Sequence, residues 1–391
     1  MPTAAERFFR IVLMAFGSLA WAQAPTVRIA FTGQSMIRSD IRLTAPSAVS
    51  AISSLIEGAD VRFTNFEGTV AEPGQPNRDV PMQGRGFLAP PEALDALEAA
   101  GFNLVVLSNN HSYDLRVPGI RNTLRAVNRL NLAHAGIGET IQDAVAPGYL
   151  HTPHATVALI GMASGLVPAG GAATATRPGV DELRVDPGSQ PNPEDAETIL
   201  NSIREAAKKA DLVIVYQHNH VFEKSFTAIF EEGMPERLRP PDWLKKWAHS
   251  EIDAGADVIV MHGAPLLHGI EIYKGHPIFY DLGNFIYNVP PALWYIQEPM
   301  AWESAVAIAE FEGRRLRSIT LRPIVLNVIG QGQPDAQDLH ANNRFLQTRG
   351  LPQLATGDKA EYILERIAEY SRLFGTLMDV KAGVAEIRLG N

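Results

Sequence analysis

A chain of 391 residues has room for one large α/β domain or two ordinary ones, and 46% hydrophobic with 20% charged residues is the balance of a globular protein. Its formal net charge of -9 argues against generic binding to nucleic acid or anionic membranes, and the absence of cysteine excludes disulfides and thiolate metal ligands. Any metal must be held by histidine, amide and carboxylate groups, a donor set suited to Zn, Mn, Fe or Mg more than to Cu(I).

Residues 1–24 read as a secretory signal peptide. Arg7 and Arg10 precede an apolar run over 11–22, Ala22-Gln23-Ala24 is a cleavage pattern, and the run is too short to span a bilayer comfortably. Cleavage after Ala24 removes two arginines and one glutamate, which takes the net charge from -9 to -10. The expected product is periplasmic or secreted, with no transmembrane segment.

The first mature strand is expected over 27–32 and ends at Gly33-Gln34-Ser35-Met36. A helix over 48–57 and a strand over 61–64 lead into Asn65-Phe66-Glu67-Gly68. Leu94 and Leu97 give helical spacing over 91–100, closed by Gly101 as a C-cap signal. Val105-Val106-Leu107 suits a short buried strand, and the polar run from Ser108 to Asp114 leaves the sheet at its end. A helix over 120–130, a turn at His134-Ala135-Gly136-Ile137-Gly138 and an apolar strand over 156–162 follow. Gly, Pro and Ala dominate 164–192 with no period, which predicts a lid or a disordered insertion. Next come a helix over 193–210 and a strand over 211–216 that ends at Gln217-His218-Asn219-His220. A helix over 243–254, with Trp243 and Trp247 as core residues, precedes a strand over 256–261 and then His262. Segments 270–273 and 278–280 form a hairpin around Lys274-Gly275, and 306–311 and 317–325 are late antiparallel strands. Segment 361–374 is an amphipathic helix with Ile363, Leu364, Ile367 and Leu373 on its apolar side.

Strands alternate with helices, and polar residues recur at five strand ends: Gln34; Asn65 and Glu67; Asn109, Asn110 and His111; His218 and His220; His262. That pattern predicts a layered α/β domain with its site on the carboxyl edge of the sheet. A lone strand-end histidine is more often a hydrogen-bonded structural residue than a ligand. Five strand ends in register carry more weight.

The same residues carry a resemblance. Thr-Gly-Gln-Ser-Met-Ile-Arg at 32–38, Arg-Phe-Thr-Asn-Phe-Glu at 62–67, Ser-Asn-Asn-His-Ser-Tyr-Asp at 108–114, His-Ala-Gly-Ile-Gly at 134–138 and Ile-Glu-Ile-Tyr-Lys-Gly-His-Pro-Ile-Phe-Tyr-Asp-Leu-Gly-Asn-Phe at 270–285 are its carriers. Over residues 32 to about 288 the chain resembles the CapA-like (poly-γ-glutamate capsule synthesis) branch of the calcineurin-like metallophosphoesterases. The resemblance implies a four-layer α-β-β-α sandwich of the metallophosphoesterase type. Residues 25–330 would form that domain, and 331–391 an extension whose helix packs on it.

It also implies two divalent metals that share a bridging carboxylate. By position Glu67 is the bridge, Asn110, His218 and His262 complete the shell of the second metal, and His111 is the acid that protonates a leaving group. Asn65, Asn109, Asp114 and His220 stand behind these residues and orient them. Apart from the resemblance, Arg38 is a candidate to pair with a substrate carboxylate or phosphate, against the alternative of a solvated surface arginine. Two positions depart from the pattern: Gln34 stands where the family usually has Asp, and Pro265 where it usually has a second His. Both losses belong to the first metal, so the resemblance implies one divalent ion (Mn, Zn or Fe), with Gln34 a weak ligand at a degenerate first site. Two ions would require Gln34 or His268 to take over; His268, ahead of Gly269, is expected at the surface.

The implied function is that of a periplasmic, metal-dependent, hydrolase-like protein of capsule or poly-γ-glutamate biosynthesis. Its partner would be an anionic envelope polymer or peptide, with other capsule-assembly proteins beside it. The same residues leave two alternatives: a non-catalytic polymer- or partner-binding protein on that fold, and a metal-dependent peptide epimerase.

Overall fold

Strands Val61–Phe66 and Leu212–Asn219 are buried along nearly their whole length, so each must be covered on both faces. The computed structural model describes residues 25–72, 86–186, 190–231, 233–289, 298–332 and 344–389; the expected signal peptide lies outside them. The architecture is mixed α/β, with one sheet of ten strands and one of six.

The larger sheet runs Met378–Lys381, Val384–Ile387, Arg315–Leu326, Glu303–Glu312, Thr26–Met36, Val61–Phe66, Leu104–Val106, Ala133–Ala135. Asn284–Tyr287 pairs beside Thr26–Met36, and Pro352–Leu354 beside Arg315–Leu326. The smaller sheet runs Ile270–Tyr273, His276–Phe279, Val258–His262, Leu212–Asn219, Thr156–Ser164, Gly148–His151. The central strands of each sheet are parallel, so their carboxyl ends emerge on one edge.

Alternation along these strands sorts their side chains into separate cores. One cluster joins Ile29, Phe31, Phe63 and Val106 of the larger sheet to Leu159, Ile214, Tyr216, Val260 and Phe279 of the smaller. The Phe31 ring lies 5.3 Å from that of Phe279, and Phe63 lies 5.9 Å from Tyr216, so the two sheets meet through aromatic contacts. A second cluster packs Ile52 and Ile56 of helix Pro46–Ile56, Leu94 and Leu97 of Glu92–Ala99, and Ile120 of Arg116–Asn128 against Val105, Phe285 and Ile308. A third packs Ile199 and Ile203 of helix Pro193–Ala207 and Trp243, Leu244 and Trp247 of Asp242–Ala254 against Ile160, Val213, Val215 and Ile259. Trp243 and Trp247 are core residues, as their helical spacing predicts.

Several strands extend past their apolar stretches. Thr26–Met36 keeps pairing through Gln34, opposite Asn65 and Asn284, and His218 pairs with His262 in register. The backbone ladder is indifferent to side-chain polarity, so the polar residues expected just beyond the sheets instead form their last rungs. The described residues of the 164–192 segment include pinned points: Gly179–Val180 pairs with Ile137–Gly138, and the Asn192 side chain caps helix Pro193–Ala207 by accepting from Glu194 and Asp195 amides. The terminal helix spans Gly357–Arg372 and buries Ile363, Leu364 and Ile367. Leu373 lies past its end and is 55% exposed, contrary to the apolar-side expectation, because the periodic pattern outlasts the helix by one residue.

Candidate functional site

Glu67 follows the last residue of strand Val61–Phe66, and its amide donates to the Ser35 carbonyl at 3.1 Å, which turns the carboxylate onto the sheet edge. His218, next to last in its strand, and His262, last in the adjacent strand of the other sheet, face it, all three buried. His218 Nε2 is 3.9 Å from Glu67 Oε1 and His262 Nδ1 is 4.0 Å from Glu67 Oε2. One ligand atom from each of the three lies within 4.8 Å of the other two, the geometry of a cation site. Asn110 brings its Oδ1 to 2.8 Å from His218 Nε2, and His220 Nε2 stands 3.2 Å from the same atom. An amide oxygen, a carboxylate and imidazole nitrogens converging on one volume are the donors that a borderline divalent ion takes.

Burial pushes Glu67 up to about 7, with the Asp114 charge adding to it and the His111 charge opposing. Burial holds His218 far below an ordinary imidazole and His262 at about 3, and nearby histidines push the same way. Both rings are therefore neutral at physiological pH, with a lone pair available, and the donor set fits a divalent ion. His111 differs. Burial opposes its charge, but the Asp114 carboxylate 2.8 Å from Nδ1, with Glu67 behind it, outweighs that effect and raises its affinity for a proton. Its Nε2 lies 4.0 Å from Glu67 Oε1, and the ring is partly open to solvent.

The family model for the bacterial capsule synthesis protein PGA_cap matches residues 28–289. The chain belongs to that family. Two members of known context are the capsule biosynthesis protein CapA of Bacillus anthracis and the PGA biosynthesis protein CapA of Bacillus subtilis. They are 30% identical over 241 residues and 29% identical over 248. Those matches cover 61% and 62% of this chain and 53% and 57% of the Bacillus proteins, so the chain spans little more than half the length of either. An uncharacterized Sinorhizobium fredii protein, y4sH, is 29% identical over 433 residues, covering 87% of this chain and 88% of that one. The chain is thus a CapA-like member of a capsule and poly-glutamate synthesis accessory family.

The other residues singled out in the sequence of this family member are positioned as follows. Asn65 Nδ2 is 3.4 Å from Glu67 Oε2. Asn109 donates to the Phe66 carbonyl at 2.9 Å and accepts from the His111 amide at 3.1 Å, so it ties the Glu67 strand to the His111 loop. Asp114 accepts from the Phe87 amide at 2.6 Å as well as facing His111. His220, with its Nδ1 buried and unbonded and its affinity for a proton lowered by burial to about 3, touches His218 itself rather than standing behind it. Arg38 lies with its guanidinium 3.9 Å over the Phe87 ring and donates Nε to the Asn288 carbonyl at 2.9 Å.

At the expected first-metal position, Gln34 Nε2 donates to Asn284 Oδ1 at 2.5 Å, and Asn284 in turn donates to the Ala301 carbonyl at 2.7 Å. His268 is buried, not at the surface: its Nε2 bonds the Glu236 carbonyl at 3.1 Å, and strand pairing around Gly269 draws it inward. It is not a member of the Glu67, His218 and His262 group. Two buried neighbours carried no assigned role in the sequence: Tyr216, whose hydroxyl is 3.0 Å from His218 Nδ1, and Asp281, whose Oδ1 is 3.5 Å from His262 Nε2. Asp281 lies within the 270–285 motif that carries the resemblance, and that position is the signal that marks it.

Proposed function

We propose that this protein is an exported, metal-dependent, hydrolase-like accessory of anionic envelope-polymer synthesis, acting on a poly-γ-glutamate-type polymer or peptide. The observation that carries this reading is the convergence of Glu67, Asn110, His218 and His262 beside His111. Helices pack on the outer faces of both sheets, which supports a four-layer sandwich of the metallophosphoesterase type. Among the described residues no helix is long and apolar enough to cross a membrane.

Glu67, Asn110, His218 and His262 would hold one Zn, Mn or Fe ion, which when bound polarises a carbonyl or phosphoryl oxygen. The chain's own residues supply the rest. His111 holds a proton on Nε2, oriented by Asp114 at Nδ1, and delivers it to the departing nitrogen or oxygen as that bond breaks; water adds to the electrophilic centre and gives up one proton to solvent, and His111, partly open to solvent, takes a proton back to close the cycle. Arg38, stacked on Phe87, lies within electrostatic reach of His111 and suits a substrate carboxylate. The test is turnover of γ-glutamyl amides by the mature protein. His111→Ala should lose it by about 10²-fold or more while keeping its metal content; equal turnover in that variant would remove His111 from the chemistry.

A second reading, a polymer-binding protein without turnover, is favoured by the neutral Gln34 and Asn284 pair where the resemblance leads one to expect a charged ligand. It predicts polymer binding that Arg38→Ala weakens and His111→Ala leaves alone.

A further inference from the structure

The two imidazoles of the cluster are held by different partners. His218 Nε2 meets the Asn110 amide oxygen at 2.8 Å, an acceptor that calls for a proton there, and its Nδ1 then accepts from the Tyr216 hydroxyl at 3.0 Å. His262 is held from its other nitrogen. The Gly263 amide donates to its Nδ1 at 2.6 Å, and an N–H donor requires an acceptor there. In a neutral ring the proton then sits on Nε2. Nε2 points away from the cluster, toward Asp281 Oδ1 at 3.5 Å and the Gly283 carbonyl, and makes no hydrogen bond of normal length.

Asp281 is committed in its turn. Its Oδ1 accepts from the Gly283 amide at 2.8 Å, so whatever the charge of the carboxyl group, this oxygen offers a lone pair to His262 rather than a proton. A small chamber of about 10 Å³, near the size of one water, adjoins His262, His268, Asn219, Tyr280 and Asp281 on this far side of the ring. Asp281 and His262 are both almost fully buried, so an unmatched N–H here has no bulk solvent to turn to. Gly263 is required for the near side: its φ is +133°, and a Cβ there would lie 1.8 Å from the Asn219 carbonyl oxygen.

From this arrangement we infer that Asp281 is a positioning residue, which acts with the Gly263 amide to keep His262 in the Nε2–H tautomer, so that Nδ1 presents its lone pair toward Glu67 and His218. The role rests on the single-metal reading of the site. It makes the ring a ligand before any ion arrives, and the Gly263 amide keeps the lone pair occupied until one does. The Asp281 carboxylate acts through His262 and touches no substrate.

The experiment uses the whole mature chain labelled with ¹⁵N-histidine, metal-free at pH 7.5, with His218 as the internal comparison. In the unmodified protein His262 Nδ1 should show a pyridine-like nitrogen shift and Nε2 a pyrrole-like one. The opposite assignment would overturn the inference outright, whether or not the protein binds metal. Asp281→Leu should mix the His262 tautomers and weaken Zn binding, titrated with zinc alone, by about 10- to 100-fold. Asp281→Asn keeps an oxygen acceptor and should preserve the tautomer and most of the affinity, which separates the role of Asp281 from a general loss of packing. An Asp281→Leu protein with the wild-type tautomer and wild-type affinity would also refute it. Failure of the unmodified protein to bind Zn, Mn or Fe would sink the single-metal reading instead, and the tautomer measurement would still decide the role of Asp281.

Discussion

Glu67→Gln should stabilise the metal-free protein and at the same time abolish stabilisation by metal. Burial lifts the Glu67 carboxyl from 4.5 to about 7, a preference for the proton equivalent to about 3 kcal/mol. An acid with a raised folded-state value binds more protons folded than unfolded between those two pH values, so its contribution falls as pH rises through the window. It is fully present below about 4.5 and lost above about 7, where the fold carries a buried charge that His111 offsets only in part. Glutamine does not titrate. Urea unfolding in EDTA at pH 5 and pH 8 should therefore show the stability gap between variant and wild type widening by about 2 to 3 kcal/mol toward pH 8. Groups shared by both proteins, such as Asp257, raised to about 7, cancel in that comparison. Zinc at about 1,000 times its dissociation constant should then add about 4 kcal/mol to the wild type and almost nothing to the variant. Parallel pH profiles for the two proteins would refute the argument, since they would mean that the Glu67 charge is already compensated.

Elemental analysis after growth with Mn, Zn and Fe should give about one ion per chain, falling below about a tenth in His218→Ala and His262→Ala; undiminished content in both would remove them as ligands. Phe63→Ala, which empties a position between Phe31 and Tyr216, should cost about 3 to 5 kcal/mol in urea unfolding. The buried Glu303 carboxylate holds Lys359 and Arg366 of the terminal helix, and Glu303→Ala, which leaves Arg366 buried and unpaired, should cost about 3 to 5 kcal/mol by the same assay.

The order of elements was legible because apolar runs and turn residues punctuate this chain clearly, as in the strand Thr156–Ser164 and the helix Glu92–Ala99. Strand ends were less so. An apolar run stops at the first polar side chain, whereas Gln34, Asn65, His218 and His262 stay in the ladder and are buried for the sake of the site. The hairpin Met378–Lys381 with Val384–Ile387 escaped because strands of four residues are too short for their alternation to stand out. Glu67, Asn110, His218 and His262 could be nominated from strand-end chemistry, but the burial that keeps the histidines neutral is a property of the assembled sheets. His268 and Asp281 show the same limit: spacing suggests what a side chain can do, and only packing decides which way it faces.

Glu67 and Asn110 come from the larger sheet, while His218 and His262 come from the smaller one. An ion held by all four is a rivet across the seam between two halves of the fold, and its affinity becomes a gauge of how far apart those halves sit. Substitutions deep in the aromatic layer around Phe31 and Phe279, remote from any ligand atom, should then register as altered ion retention before they register as loss of fold. The tightness of that hidden layer sets how long the rivet stays in place against chelators and competing ions.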